Sequence, residues 1–250
     1  MRRHGLTDHE SGVIEPLLPK TFRGMPRVDN RRVINGILWR FRTGSFWRDV
    51  SEHYGPRTML FNRFTRWRAA KVWDRLLEAK SRAYHVDIVL TDSSCARVHQ
   101  HEVAGKKGPA DPCMGRSRGG LTTQIHALVN AEGQPVRLIL TAGQAGDAPV
   151  AIRLFEAIVP DATVIADKAY DTDDIRSIVA ARGAWANIPP RSPRKAIFAC
   201  SQRVFSQCNL VERFFSRLKQ MRDLATPYDQ RPDNFFAAVK LAIVRIWINA

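Results

Sequence analysis

A single glutamate is out of place in the segment "CNLVERFFSRLKQMR", residues 208–222. On a helix that turns about 100° per residue, three apolar side chains form a stripe that should face a core: Val211, Phe215 and Leu218. Glu212 lies at the edge of this stripe, and Lys219 follows within about 20° of it. Such a pair is typical of a solvated helix surface. It would equally suit a metal-binding or catalytic carboxylate, provided that other parts of the chain supply its partners.

Two aspartates stand in or after apolar runs and are candidates for those partners. Asp92 interrupts "VDIVLTDSSCARV", a run rich in β-branched residues that predicts a strand. Asp167 ends "ATVIAD", which predicts a short buried strand. A carboxylate buried at a strand end is costly unless it is paired or binds a metal. The alternative is local capping, of a turn by Asp92 and of the helix that starts near Asp171 by Asp167.

The order of elements predicts how these three residues could meet. Helices are expected in the first 84 residues, beginning with a capping box at Thr7 and Glu10. After residue 85 the patterns follow the order β-β-β-α-β-α-β-α, with a Gly/Pro/Lys/Arg-rich loop over 99–120 and a hairpin turn at Gly133. This is the order of the ribonuclease H fold, so the predicted class is α/β: a mixed sheet flanked by helices, preceded by an all-α helix-turn-helix-like region.

The predicted fold would bring the three carboxylates together. If the first and fourth strands pair in parallel, Asp92 and Asp167 lie side by side at a strand end, where ligands of α/β sheets gather. The helix after the fifth strand could place Glu212 at the same spot. Oxygen ligands with open positions suit Mg²⁺ or Mn²⁺ rather than zinc. Two such ions could support phosphoryl transfer, with Lys219 holding a DNA phosphate beside them.

The charge of the chain predicts a polyanionic partner. The formal net charge is +15, and 39 Lys and Arg residues face 24 Asp and Glu residues. Residues 1–84 carry 18 basic and 8 acidic side chains, against 21 and 16 in residues 85–250. This asymmetry is typical of a nucleic-acid-binding module at the N-terminal end, although a basic surface could serve solubility alone.

Several basic residues are predicted to contact DNA. Those of the expected helix "RTMLFNRFTRWRAA" interleave with aromatic residues that are better explained as core. Those of the 99–120 loop stand among glycines that could let the backbone approach phosphates, although a solvated flexible loop is the alternative. With two residues of the Glu212 helix, the predicted contacts are Arg57, Arg63, Arg66, Arg68, Lys106, Lys107, Arg116, Arg118, Arg213 and Lys219.

Other candidate sites are weaker. Cys95, His99, His101 and Cys113 do not have the spacing of common structural zinc sites. Asp147 in "GQAGDAP" is predicted to be the N-cap of its helix. The four cysteines lack C-x-x-C spacing and indicate reduced thiols, and neither an 18-residue apolar run nor an apolar leader is found, so we expect a cytoplasmic protein.

Five segments together resemble bacterial insertion-sequence transposases of the DDE class, in the insertion-sequence-five group. They are "RRVINGILWRFRTGSFWRDVSEHYGP", "TDSSCARVHQH", "CMGRSRGGLTTQIHALVN", "VIADKAYD" and "NLVERFFSRLKQMRDLATPYDQ". The resemblance implies an RNase H-like catalytic domain over residues 85–250 behind a helical DNA-binding region over residues 1–84. It implies a metal-binding triad of Asp92, Asp167 and Glu212, with Lys219 as the family's lysine after the glutamate.

The resemblance also implies partners and a reaction. These are the terminal inverted repeats of the element, target DNA, two Mg²⁺ or Mn²⁺ ions, and a homodimer or higher oligomer on DNA, in the bacterial cytoplasm at the nucleoid. The reaction would be strand cleavage to free a 3′-hydroxyl, followed by strand transfer. A nuclease or resolvase on the same fold would share the triad but not the N-terminal segments.

The last motif departs from the family at two positions. Phe205 stands where the family has a tyrosine, and Cys208 stands where it has an arginine. On a continuous helix both would fall on the stripe that holds Glu212 and Lys219. A phenolic hydroxyl and a guanidinium are therefore missing beside the predicted metals. The alternative function is a transposase relic with weak or no catalysis that acts as a DNA-binding protein.

Overall fold

The computed structural model describes residues 5–19, 28–81, 87–97, 113, 115–117, 120–196, 198–225 and 232–248. The chain forms two compact units that are each discontinuous in sequence. We call them the helical unit (Met1–Ala83, Val98–Gly105 and Leu218–Ala250) and the α/β unit (Tyr84–Arg97 and Lys106–Arg217). The predicted division at residue 84 into a DNA-binding region and a catalytic domain concerns function and stays a prediction.

The described helices and strands follow the predicted order. The helices are α1 (Asp8–Ile14), α2 (Asn30–Thr43), α3 (Arg57–Ala69), α4 (Val72–Ser81), α5 (Asp147–Leu154), α6 (Asp173–Ala181), α7 (Gln202–Phe205), α8 (Asn209–Lys219), α9 (Arg222–Ala225) and α10 (Pro232–Ile248). The strands are β1 (Ile88–Arg97), β2 (Gly115–Ser117), β3 (Gly120–Asn130), β4 (Pro135–Ala142), β5 (Thr163–Ile165) and β6 (Trp185–Asn187). None of the described helices is long and apolar enough to cross a membrane.

Local signals set the ends of the first helices. Thr7 and Glu10 form the predicted capping box at the start of α1. The side chain of Asp29 caps α2 by accepting hydrogen bonds from the backbone N–H groups of Arg31 and Arg32. Gly44 ends the helix in a left-handed conformation at φ 71°. The apolar stripe of α2 is buried as its spacing predicts: Val33, Ile34, Ile37, Leu38 and Phe41.

The segment between α2 and α3 forms no α-helix, although helices are expected throughout the first 84 residues. It forms two 3-10 turns, Trp47–Asp49 and Glu52–Tyr54. Val50 is extended and the Ser51 hydroxyl accepts a hydrogen bond from the amide of His53, so the chain turns locally instead of continuing as a helix. This segment also has no apolar stripe long enough to stabilise several helical turns by packing.

The last residues of the chain complete the helical unit. Helix α10 packs against α1, α3 and α4, and α9 packs against α2. Arg40 of α2 and Asp223 of α9 form a buried ion pair, with Nη1 and Oδ2 2.5 Å apart. Lys240 of α10 forms a second ion pair with Asp74 of α4. The N-terminal helices therefore depend on residues that are far away in sequence.

The α/β unit is built on one mixed sheet with the order β2-β3-β1-β5-β6, and β4 also pairs with β3. β1 is antiparallel to β3 and parallel to β5, and β5 is parallel to β6. α5 and α6 cover a buried cluster that includes Val89, Leu128, Leu154, Val164 and Val179. This is the predicted ribonuclease H-like arrangement, with the first and fourth core strands side by side.

The loop predicted over residues 99–120 contains a short strand. Residues 115–117 pair with residues 120–122 of β3. Without this pairing, the backbone N–H and C=O groups at this edge of β3 would lack hydrogen-bond partners in the sheet. A side chain at Gly115 would be crowded, because its Cβ would lie 2.8 Å from Cβ of Ala142 and would displace the side-chain amide of Gln144. Lys106, Lys107 and Arg118 lie outside the described residues. A strand of three residues gives no periodic signal, so sequence alone could not distinguish it from a loop.

Candidate active site

The parallel pairing of β1 and β5 brings the two aspartates level. Leu90 is opposite Ile165 in this register, and Asp92 and Asp167 each follow two residues later. Asp92 remains within β1, where it is opposite Ala127 of β3, while β5 has already ended at Ile165. The predicted parallel pairing of these strands is confirmed, and it places Asp92, midway along β1, level with Asp167, just past the carboxyl end of β5.

Asp92 lies in a partly buried and strongly negative environment. Its Oδ1 accepts a hydrogen bond from the backbone N–H of Ser93 at 2.7 Å, which lowers the pKa of the carboxyl. Burial is the largest influence and acts in the opposite direction, and the charges of Asp167, Asp147 and Glu212 add to it. The result is a pKa of about 6 for Asp92. These four carboxylates therefore share one electrostatic environment.

Asp167 caps a turn and keeps its carboxylate exposed. Its Oδ1 accepts a hydrogen bond from the backbone N–H of Ala169 at 2.9 Å, at the start of the 3-10 turn Lys168–Tyr170. The predicted alternative, that Asp167 caps α6, is wrong, because Thr172 is the N-cap of that helix. A short cap of this kind fixes the orientation of the carboxylate and leaves its other oxygen open to a ligand.

Glu212 lies in the first turn of α8 and is exposed. The predicted apolar stripe behind it is buried: Val211, Phe215 and Leu218. α8 runs unbroken to Lys219, so the glutamate and the lysine belong to one helix. The α/β unit ends at Arg217, so Lys219 belongs to the helical unit, and its role at the site stays a prediction.

The segment before α8 is not the continuous helix that the stripe prediction assumed. α7 ends at Phe205, and a 3-10 turn, Ser206–Cys208, separates it from α8. Because a 3-10 turn has about three residues per turn, the angles predicted for positions 205 and 208 do not hold. Cys208 nevertheless lies close to the carboxylates. Burial raises the pKa of its thiol to about 11, with further contributions from Asp92, Asp167 and Glu212.

The ligand atoms at this site suit a hard divalent cation. All three predicted ligands are carboxylates, and within the described residues none of them is in an ion pair. The described part of the chain has no group of three His, Cys, Asp or Glu side chains arranged to hold a metal ion by themselves. Mg²⁺ does not require such a group, since it is commonly held by one or two carboxylates together with water and substrate phosphates. The residues therefore fit a cation that a phosphate substrate helps to bind.

Another aspartate, Asp171, lies four residues after Asp167 and is surrounded by arginines. We call it and its partners the Asp171 cluster (Asp171, Arg176, Arg191 and Arg194). The carboxylate of Asp171 is fully buried and accepts hydrogen bonds from Nε of Arg176 and Nε of Arg194, each at 2.7 Å. The backbone N–H of Arg191 donates a third at 2.8 Å. Burial acts to raise the pKa of Asp171, but these hydrogen bonds outweigh it and leave the pKa below its ordinary value.

The predicted DNA contacts divide into exposed and internally bonded side chains. Arg57, Arg66 and Arg213 are exposed. Arg63 donates to the backbone oxygen of Val28 and bonds Asn30, and Arg68 bonds Asn234 of α10. The aromatic residues Phe64 and Trp67 are buried, as predicted for core residues. Arg116 lies in β2, and its side chain is outside the described part of the chain.

Asp147 is the site residue that the sequence assigned wrongly. Gly146, not Asp147, is the N-cap of α5, and it offers no side-chain hydrogen bond to the helix. The carboxylate of Asp147 instead accepts a hydrogen bond from Nε2 of Gln124 at 2.9 Å and lies 3.5 Å from Nδ1 of His126. One sequence signal could have indicated these contacts: Gln124 and His126 alternate along the apolar strand β3, and polar side chains on a core face need polar partners.

The strand order gives the α/β unit an RNase H-like fold. Among solved structures, a piggyBac transposase synaptic complex with hairpin DNA has the same fold, with a TM-score of 0.56 and 9% identity. The likeness covers 96% of this chain and 69% of that one.

Comparisons of sequence extend this result to the family. The model described as "Putative transposase of IS4/5 family" matches residues 6–77, and two models of a "Transposase DDE domain" match residues 86–198 and 164–249. A "Putative transposase for insertion sequence element IS6501" of Brucella ovis is 34% identical over 130 residues, which are 52% of this chain and all of that relative. The "Uncharacterized protein y4sN" of Sinorhizobium fredii is 30% identical over 105 residues, 41% of this chain and 84% of that protein.

The chain belongs to the insertion-sequence transposases with a DDE catalytic domain. Its function is that of a DNA transposase, and its enzyme class is the DDE polynucleotidyl transferases and endonucleases. Membership of this family implies the use of divalent metal ions.

Proposed function

We propose that this transposase binds the terminal inverted repeats of an insertion element, cleaves a DNA strand at their ends and joins the freed 3′-hydroxyl to target DNA. Asp92, Asp167 and Glu212 would be the ligands of two Mg²⁺ or Mn²⁺ ions. The observation that carries this assignment is the β1–β5 register, which brings the two aspartates level within one electrostatic environment that Glu212 shares.

The side chains of this site would act as a negatively charged scaffold. When bound, two divalent ions would activate a water or a 3′-hydroxyl and stabilise the departing oxygen. The nucleophile is therefore external, and no serine or cysteine of the chain is required as one. Asp92 must be ionised to serve as a ligand, and burial raises its pKa to about 6, so protons should compete with the metal ions below that pH. Asp167 is oriented by its cap to Ala169, and Glu212 by the helix behind it.

DNA as the partner is supported by charge and exposure. The chain has a net charge of +15, and Arg57 and Arg66 of α3 are exposed. Arginine binds phosphates well because its planar guanidinium can donate two parallel hydrogen bonds. An element has two ends, and holding both of them during cutting and joining favours a homodimer or a higher oligomer on DNA.

The test is a strand-cleavage assay with a labelled duplex that ends in a terminal repeat of the element. Asp92→Asn, Asp167→Asn and Glu212→Gln should each reduce Mg²⁺- or Mn²⁺-dependent cleavage by about 10³-fold or more, since each removes charge that the transition state needs. Gel-shift binding of the same duplex should be largely retained. Asp87→Asn is the matched control, because Asp87 is an exposed carboxylate next to β1. Cleavage at the parent's rate by all three variants would rule out the triad.

Cys208 favours a second candidate function, that of a DNA-binding relic with weak catalysis. Its thiol lies close to three carboxylates and has a pKa of about 11, so it is neutral at physiological pH. The resemblance of the last motif implies an arginine at this position, whose guanidinium could bind a phosphate beside the metals. Retained Mn²⁺ binding and DNA binding without cleavage by the parent protein would support this second function.

A further inference from the structure

Asp147 does not belong to the predicted triad, yet its surroundings connect it to Asp92. It begins α5, and its side chain is 29% exposed. Its Oδ1 accepts a hydrogen bond from Nε2 of Gln124, and the same nitrogen donates to Oγ of Ser93 at 2.7 Å. Ser93 in turn donates its backbone N–H to Oδ1 of Asp92. A short chain of polar contacts therefore joins the two carboxylates.

A buried histidine lies beside Asp147 on a second side. His126 is 0% exposed, and its Nε2 lies 2.8 Å from Oγ1 of Thr141. Its Nδ1 is buried, makes no hydrogen bond among the described residues, and lies 3.5 Å from Oδ1 of Asp147. Burial lowers the pKa of His126, so the ring is neutral at pH 7. A neutral ring leaves the negative charge of Asp147 uncancelled.

Two electrostatic effects are consistent with these contacts. Among the carboxylates that raise the pKa of Asp92, Asp147 comes after Asp167 and before Glu212. Burial is the main reason for the raised pKa of the Tyr170 hydroxyl, and the charges of Asp147 and Asp92 both add to it. The charge of Asp147 therefore acts on Asp92, as the charges of Asp167 and Glu212 do.

We infer that Asp147 is a positioning residue of the catalytic centre, which acts through Gln124 and Ser93 to hold Asp92 in the orientation that a divalent ion requires. This inference rests on the proposed metal site. Asp147 is not itself assigned as a ligand. Outer residues that orient a metal ligand typically change metal affinity by about 10–100-fold when they are removed. The polar contacts of β3 would then serve catalysis, which explains why a core-facing strand carries Gln124 and His126.

The experiment is Mn²⁺ titration by calorimetry on the full-length protein bound to a terminal-repeat duplex, with the heat of the duplex alone subtracted. Asp147→Ala removes the acceptor of the Gln124 hydrogen bond, and Gln124→Leu cuts the connection while leaving the charge of Asp147 in place. Both should weaken Mn²⁺ binding by about 10–100-fold. Asp174→Asn is the control, because Asp174 is an exposed carboxylate in the first turn of the neighbouring helix α6. Its affinity should equal that of the parent.

A second measurement separates positioning from simple structural support. The thermal midpoint in chelator should change little in Asp147→Ala, since the side chain of Asp147 is partly exposed. Parent-like Mn²⁺ affinity in both variants would overturn the inference while leaving the proposed function intact. Loss of stability with unchanged affinity per folded molecule would also overturn it. If the parent itself binds no Mn²⁺, and the triad variants cleave like the parent, the proposed function fails and the inference with it.

Discussion

Asp171 and Asp92 are carboxylates of the same α/β unit with opposite surroundings. The buried carboxylate of Asp171 bonds two guanidinium groups and a backbone N–H, and its pKa lies below the ordinary value. The carboxylate of Asp92 has one backbone hydrogen bond and three carboxylate neighbours, and its pKa is about 6. A carboxylate that stabilises the fold is paired with cationic side chains of the chain. A carboxylate of the proposed active site can instead bind a cation that is not part of the chain.

The largest expected effect comes from removing the charge of Asp171. Asp171→Asn leaves Arg176 and Arg194 without their main acceptor, and breaking a buried ion pair from one side costs about 3–5 kcal/mol. Unfolding in urea, followed by circular dichroism, should show this loss. Asp173→Asn is the matched control, since Asp173 also pairs with Arg194 but is 86% exposed. It should change stability by about 0–1 kcal/mol. Equal stability of the two variants would contradict the comparison.

The next effect comes from supplying a cation to the carboxylates of the active site. Cys208→Arg, alone or with Phe205→Tyr, supplies the residues that the resemblance of the last motif implies at these positions. A recovered charge-assisted contact in the transition state is worth on the order of 2–4 kcal/mol, or about 10²–10³ in rate. Excision and joining in a cell-based assay with paired terminal repeats should rise accordingly. Cys208→Ser, which adds no charge, is the control. An unchanged rate in an already active parent would mean that positions 205 and 208 do not limit catalysis.

A smaller effect of opposite sign to that at Asp171 is expected for Asp92→Asn. Because its folded-state pKa is raised from 3.8 to about 6, the protonated form of Asp92 is favoured by folding. That contribution is fully present below pH 3.8 and is lost as the pH rises through 6. At pH 7.5 in chelator the substitution should therefore stabilise the protein by about 1–2 kcal/mol, after allowance for solvent screening of this partly exposed group. The gain should disappear by about pH 4. A loss of stability at pH 7.5 would contradict the assigned environment.

The smallest effect concerns the arginines of α3. Arg57→Ala and Arg66→Ala should each flatten the salt dependence of DNA binding by about one unit while leaving the fold unchanged, because exposed arginines that bind phosphates release counterions. Arg63→Ala should instead lower the thermal midpoint, since this side chain bonds Val28 and Asn30. Gel shifts at several salt concentrations measure the first effect and calorimetry the second. The same salt slope in all three variants would show that exposure does not identify the DNA contacts.

Much of the α/β unit could be predicted from local sequence. The strand positions of Asp92 and Asp167 could be predicted because each follows a run of β-branched residues. The position of Glu212 on a helix could be predicted because the buried stripe behind it has helical spacing. Asp147 could not, because an aspartate at a helix start has a simple capping explanation, and its actual partner Gln124 is 23 residues away. The internal hydrogen bonds of Arg63 could not be predicted either, since Val28 and Asn30 lie 35 and 33 residues away in sequence.

The ion pair between Arg40 and Asp223 has a consequence for how the protein is made. The two residues are 183 positions apart, and both side chains are buried. A ribosome that adds about 5–20 residues per second needs about 10–40 s to reach Asp223 after it has made Arg40. During that time the N-terminal helices exist without the helices α9 and α10 that cover them in the finished unit. The region with the highest positive charge is thus made first, and its packing is completed last. A truncated translation product would carry the basic helices without α9 and α10, which pack against them.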